Sequence, residues 1–192
     1  MTHGRCCGRG SVGLWLWALG VGLWAWGLGH SVAAQGVSRE EALAAVYPGA
    51  SIRAEQVFLT AAQMKQVAAR AGAESASALV ARYLATRNGQ SVGRAYVDTH
   101  TVRTKQESLL ISLDASGHVM RVDVTAFLEP SEYRAPEPWL GQYKGRGLDD
   151  DLTVNRAIRP IAGATLTTRA ANSAVRRVLA IDETLRATGD GR

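Results

Sequence analysis

Cysteine is almost missing from these 192 residues, and both copies, Cys6 and Cys7, sit within the first seven positions. Everything after them has neither a disulfide to staple it nor a thiol to act as a nucleophile. Both also precede the apolar run that follows, which is the wrong side for a lipid-modified cysteine. Histidine is scarce, and beyond residue 34 only His100 and His118 remain. Asp98, His100 and His118 match no familiar metal-ligand spacing, so a surface or hydrogen-bonded role is expected for both histidines. The run Asp149 to Asp151 reads as a solvated loop rather than a calcium site. Neither Ser131 nor Ser173 has a G-x-S-x-G setting, and no histidine is placed as its base, which argues against a hydrolase. Internal repeats and low-complexity tracts are lacking as well.

A strong charge of one sign is another absence. The net charge is +5, and removing residues 1–34 takes away two of 22 basic residues and no acidic one, leaving about +3. That is too mild to suggest a nucleic-acid partner.

What the chain does have begins at its N-terminus. Arg5 and Arg9 precede an uncharged run from Val12 to Leu28, followed by "GHSVAAQG", where Ser31/Ala33 or Val32/Ala34 give cleavage-site spacing. Residues 1–34 therefore read as an export signal. The alternative is a retained anchor, but the glycines and Trp15, Trp17, Trp24 and Trp26 suit an interface better than a bilayer centre. Either way the remainder is expected outside the cytoplasm, in the periplasm.

The remaining length suits one domain. Residues 35–78 read as its helix-strand-helix opening. "SREEALAAVYPG" has Ser38 and Glu41 in capping-box spacing, "SIRAEQVFLT" is a strand, and "TAAQMKQVAARAG" is a helix capped by Thr60 and stopped by Gly72. From Leu79 the apolar period becomes two, and Asn88-Gly89 between two such runs is a strong hairpin signal. Two more strands join at a turn from Asp114 to Gly117. The fold class is thus α+β, an antiparallel sheet with packed helices.

After Phe127 comes a long surface excursion rich in proline, glycine and charge, with a helical turn expected at Trp139 to Tyr143. A final helix is expected over about 168–188, with Ala171, Val175, Val178, Leu179 and Ile181 on its packed face and Arg169, Arg176, Arg177 and Arg186 largely elsewhere. Between them lies "IAGATLTT". Gly163 and Ala164 leave the backbone open, and the next helix offers unpaired N–H groups and a positive dipole end. Such a loop suits a phosphate, with hydroxyls from Thr165, Thr167 and Thr168 and charge from Arg159 and Arg169. The same residues also fit a plain turn and helix cap, or a small-ligand site without redox chemistry.

The order of elements over residues 79–185, with "EPWLGQYKGR" and then "IAGATLTT" opening a C-terminal helix, resembles the FMN-binding domain of the peripheral flavoprotein subunits of sodium-pumping quinone reductase and the Rnf complex. In that family a flavin transferase joins the phosphate of FMN to a threonine in a Ser/Thr-Gly-Ala-Thr sequence. The resemblance implies that Thr165 is the attachment residue, with Gly163 and Ala164 matching and Leu166, Thr167 and Thr168 in the extension. It further implies that Glu129, Trp139, Leu140 and Tyr143 lie near the flavin. Ala162 stands where Ser or Thr is common, and Arg159 where many relatives carry aspartate. The implied role is a relay of electrons between quinone- or haem-linked membrane or periplasmic partners. The alternative, favoured by Arg159, is a non-flavinylated accessory or partner-binding module of the same fold.

Overall fold

The computed structural model describes residues 37–72 and 77–189; the stretch expected to be an export signal and most of the link "ESASA" lie outside them. Helix α1 (Arg39–Val46) is capped by Ser38, whose hydroxyl accepts from the Glu41 N–H. Strand β1 (Ser51–Phe58) follows, then α2 (Ala61–Ala71), with a complete Thr60/Gln63 capping box and Gly72 left-handed at its end. These are the caps that the sequence signals.

Strands β2 (Leu79–Arg87), β3 (Gln90–Thr101), β4 (Gln106–Asp114) and β5 (Val119–Phe127) complete a five-stranded antiparallel sheet in the order β1-β2-β3-β4-β5. Asn88 and Gly89 both have positive φ, 54° and 77°, as the mirror-image two-residue turn of a hairpin requires. Side chains alternate across the sheet, so Leu109, Ile111 and Leu113 enter the main core on one face while Leu110 joins Ala42, Leu43, Tyr47, Ala85 and Ala95 under α1 on the other.

The main core is closed by α4 (Thr165–Ala187). Its N-terminus lies three residues before the expected start at Thr168, because Ala164 supplies no capping side chain that would mark the boundary. Fourteen of its 23 residues are buried, so it is covered by α2 and the 143–152 loop as well as by the sheet. Arg177, expected with the other arginines largely off the packed face, is buried, as is Asp182. Arg94 Nε lies 2.6 Å from Asp182 Oδ1 and the Tyr96 hydroxyl donates to the same oxygen at 2.9 Å. Arg177 reaches both Asp98 oxygens at 2.7 and 2.9 Å. Since Arg94 meets 182 and Asp98 meets 177, α4 runs antiparallel to β3, and its N-terminus emerges at the β3–β4 turn.

The excursion after β5 is ordered. It contains a 3-10 turn at Ser131–Tyr133, a single helical turn α3 (Glu137–Leu140) and a 3-10 turn at Gly141–Tyr143. Arg176 ties it down by donating to the Asp149 and Leu152 carbonyls, at 2.8 and 3.1 Å, and to the Ala71 carbonyl at the end of α2, at 3.0 Å. Among the described residues no helix is long and apolar enough to cross a membrane.

Gly93 leaves room for Tyr47, the residue that ends α1, to lie against the sheet. The Tyr47 hydroxyl is shared between the carbonyls of Arg94 (2.7 Å) and Leu113 (2.8 Å), and a Cβ at Gly93 would collide with the Leu113 carbonyl and the Tyr47 ring. Gly93→Ala is therefore expected to lower stability by about 1–3 kcal/mol, read as an earlier urea midpoint with an unchanged slope.

Candidate functional site

Three segments meet at the open end of α4. The loop before it turns at Gly163, whose φ is +78°, and closes with the Ala164 N–H donating to the Ile161 carbonyl at 3.2 Å. Thr168, fully buried, accepts from the Ile161 N–H (2.9 Å) and donates to the Ala164 carbonyl (3.1 Å), which fixes the loop to the helix. Thr167 is buried too and donates to the Tyr133 carbonyl at 2.7 Å. Both hydroxyls are thus committed to structure. Thr165 is exposed on the first turn, and its hydroxyl makes no hydrogen bond among the described residues.

The sequence caps α1 and α2 with hydroxyls but places Ala164 before the longest helix, where no side chain satisfies the first-turn N–H groups. Beside that turn is a hollow of about 190 Å³ lined by Arg103, Tyr133 and Gly163 to Thr167. Nothing lies within 4 Å of where a Gly163 side chain would begin. Leu166, with 47% of its surface exposed, forms the apolar lip.

Arg103 and Tyr133 are the members that the sequence reading missed. Arg103 belongs to the β3–β4 turn, and its guanidinium carbon sits 5.5 Å from the centre of the Tyr133 ring. Glu129 holds that turn: Oε1 accepts N–H groups of Thr104 (2.7 Å), Lys105 (2.8 Å) and Arg103 (3.2 Å). The Thr104 N–H above all, then that of Lys105, pulls the Glu129 carboxyl below its ordinary range. Glu129 therefore positions a cation at the hollow without lining it. Its distance in sequence from Arg103 gave no signal, although an acidic residue just after a last strand is a natural cap for a neighbouring turn.

Trp139, Leu140 and Tyr143 do not line the hollow either; they hold the loop from the core side. The Trp139 indole N–H donates to the Arg159 carbonyl at 2.6 Å, and its ring meets Tyr143 edge-on at 5.8 Å. Leu140 and Tyr143 are buried, and the Tyr143 hydroxyl donates to Asn172 Oδ1 at 3.3 Å. Arg159 has its N–H bonded to Gln142 Oε1 at 2.9 Å, and its exposed side chain, like that of Arg169 and like Ala162, is outside the lining.

The two histidines are at opposite ends of the β4 ladder. His118 is exposed beside Asp114, whereas His100 is nearly buried, with Nδ1 2.9 Å from Asp98 and Nε2 3.1 Å from Glu107. Burial opposes the charged imidazolium, but the two carboxylates outweigh it and raise His100 to about 9. Burial likewise opposes the Asp98 carboxylate, yet His100 and Arg177 keep it below the usual range.

No family model, curated protein or solved structure matches the chain.

Two outcomes follow from this geometry. Thr168→Val strands the Ile161 N–H and is expected to cost about 1–3 kcal/mol, whereas Thr165→Val should change stability by less than about 0.5 kcal/mol; chemical denaturation of the pair separates the structural hydroxyl from the free one. Because His100 has a raised pKa in the fold, its contribution is complete below about 6.5 and is lost as pH rises through about 9. Thermal melts across that window should show a decline that His100→Gln flattens.

Proposed function

We propose that the chain is an exported, covalently flavinylated electron carrier, with FMN held through a phosphoester to Thr165. The observation that carries this reading is the one free threonine hydroxyl of the "IAGATLTT" loop, exposed on an uncapped helix turn beside Arg103. The donor set suits a phosphate: a guanidinium, unsatisfied first-turn N–H groups and a glycine that leaves the approach open. Tyr133 and Leu166 supply the apolar surface on which a planar ring system packs.

The flavin supplies the redox chemistry when bound, and the protein supplies orientation and electrostatics. Arg103 offsets negative charge on the phosphate, Glu129 keeps that arginine in place, and Trp139 fixes the loop that presents Thr165. A shallow, exposed site suits a carrier, since electrons must pass to a partner that approaches from outside. A covalent tether also keeps the cofactor with the protein where release would lose it to the surroundings. Maturation needs a flavin transferase with a flavin dinucleotide as donor: the Thr165 oxygen takes the FMN phosphate as the pyrophosphate bond breaks, the nucleoside monophosphate leaves and the hydroxyl proton is released. The redox partners are quinone- or haem-linked proteins of the membrane or periplasm, and nucleic acid has no part.

The second reading, a non-flavinylated accessory module of this fold, rests on Arg159 in place of the usual aspartate. Intact mass and peptide mapping after co-expression with a flavin transferase distinguish the two. An FMN-sized addition on the Thr165 peptide, absent in Thr165→Val and reduced in Arg103→Ala, is the expected result. An unmodified chain, alongside a related domain modified in the same cells, overturns the covalent reading.

A further inference from the structure

The sheet has two edges that differ in how they are finished. β5 is partly covered: the Val37 N–H donates to the Val124 carbonyl at 3.2 Å, and Val119 exchanges bonds with residues 145 and 146 at 2.7 and 2.9 Å. The outer rim of β1 makes no backbone hydrogen bond among the described residues. In an antiparallel ladder alternate residues turn both backbone groups to the same neighbour. The Leu59 N–H bonds the Ala78 carbonyl at 2.8 Å, so the odd residues of β1 address β2. Ile52, Ala54, Gln56 and Phe58 therefore offer their N–H and C=O groups to the open side.

We propose that β1 pairs with β1 of a second copy of this chain, antiparallel about a two-fold axis at Ala54. An axis normal to the sheet keeps each face continuous, so only residues of the same parity can stand opposite one another. Charge selects among those registers. With Ala54 opposite Ala54, Arg53 of each copy faces Glu55 of the other. Moving by one step in either direction sets Arg53 against Arg53 or Glu55 against Glu55, and like charges directly opposite are destabilising. In one copy Arg53, with 70% of its side-chain surface exposed, lies 3.5 Å from Glu55 of its own strand, and Arg82 binds the other Glu55 oxygen; pairing exchanges the exposed Arg53 contact for the same contact across the axis.

The same register accounts for the most exposed large apolar side chain among the described residues. Phe58, with 72% of its surface in solvent, falls opposite Ala50 of the second copy and on the same face. Ala50 lies in a largely apolar hollow of about 360 Å³ lined also by Leu43, Tyr47, Ile52, Ala54 and Tyr83, with Glu40 the one charged residue of its lining. Each copy thus carries an unburied aromatic ring and, at the symmetry-matched distance along the strand, the hollow that takes it. A foreign strand would satisfy the backbone, but the self-complementary charges and the Phe58–Ala50 match specify another copy. The result is one continuous sheet twice the width of the single one. None of this depends on flavin attachment.

Sedimentation velocity over a concentration series tests the pairing, using the purified protein, Phe58→Ser and Arg53→Glu. Both side chains are exposed in a single copy, so the variants should retain the wild-type circular dichroism spectrum. The expected result is a reversible wild-type dimer that each substitution weakens by about tenfold or more. A wild type that remains monomeric overturns the proposal, as does a variant of either kind that keeps the wild-type dissociation constant.

Discussion

Two buried ion pairs fix where α4 sits on the sheet. Arg94 with Asp182, and Asp98 with Arg177, join side chains with less than a tenth of their surface in water. Apolar packing between helix and sheet is non-directional and tolerates sliding, whereas a buried charge without its partner costs several kcal/mol. Only one depth along the helix satisfies both pairs together. Tyr96 and Arg186 complete the arrangement around Asp182, the latter at 2.8 Å. The position of the first turn beside the β3–β4 turn follows from this seating.

The candidate site is therefore a product of long-range geometry more than of a local motif. Thr165 arrives with α4, Arg103 with a hairpin end, and Tyr133 with the excursion after β5. Thr165 and Arg103 are held by residues that do not touch the hollow, Thr168 and, through residue 159, Trp139 with Gln142 tying the loop and Glu129 the turn, while Tyr133 is held by Thr167 of the lining itself. The excursion looks irregular because its order is imposed from outside. Arg176 and Asn172 on α4 satisfy its carbonyls, so no periodic pattern within it was needed.

This explains which parts could be read from the residues alone. The antiparallel sheet was legible because hairpins are encoded locally, in Asn88-Gly89 and in the turn that ends at Gly117. The helices α1 and α2 were legible because Ser38 and Thr60 announce them. The start of α4 lies earlier than the sequence signals because Ala164 announces nothing, and the burial of Arg177 is not legible because an arginine paired with an aspartate 79 residues away leaves no mark on helical spacing. The loop around Gly163 stood out as a candidate site from its small residues and hydroxyls. Arg103 did not, since a basic residue in a tight turn acquires its importance only from the elements brought against it. Trp139 shows the converse, a conspicuous residue whose indole serves as a clamp on the backbone.

Every strand of the sheet pairs with its neighbour in sequence, so the meander can form as the chain becomes available from its N-terminal side, one hairpin after another. The helix that seals its main apolar face comes last among the described residues, and Arg94 and Asp98 beneath it lack their α4 partners until residues 177 and 182 arrive. A sheet completed before α4 has docked would expose that hydrophobic face and leave Arg94 and Asp98 without their helix partners. Such a species is prone to associate with others of its kind. The closed core thus depends on the 23-residue α4, and the turn that carries Thr165 is part of that same helix.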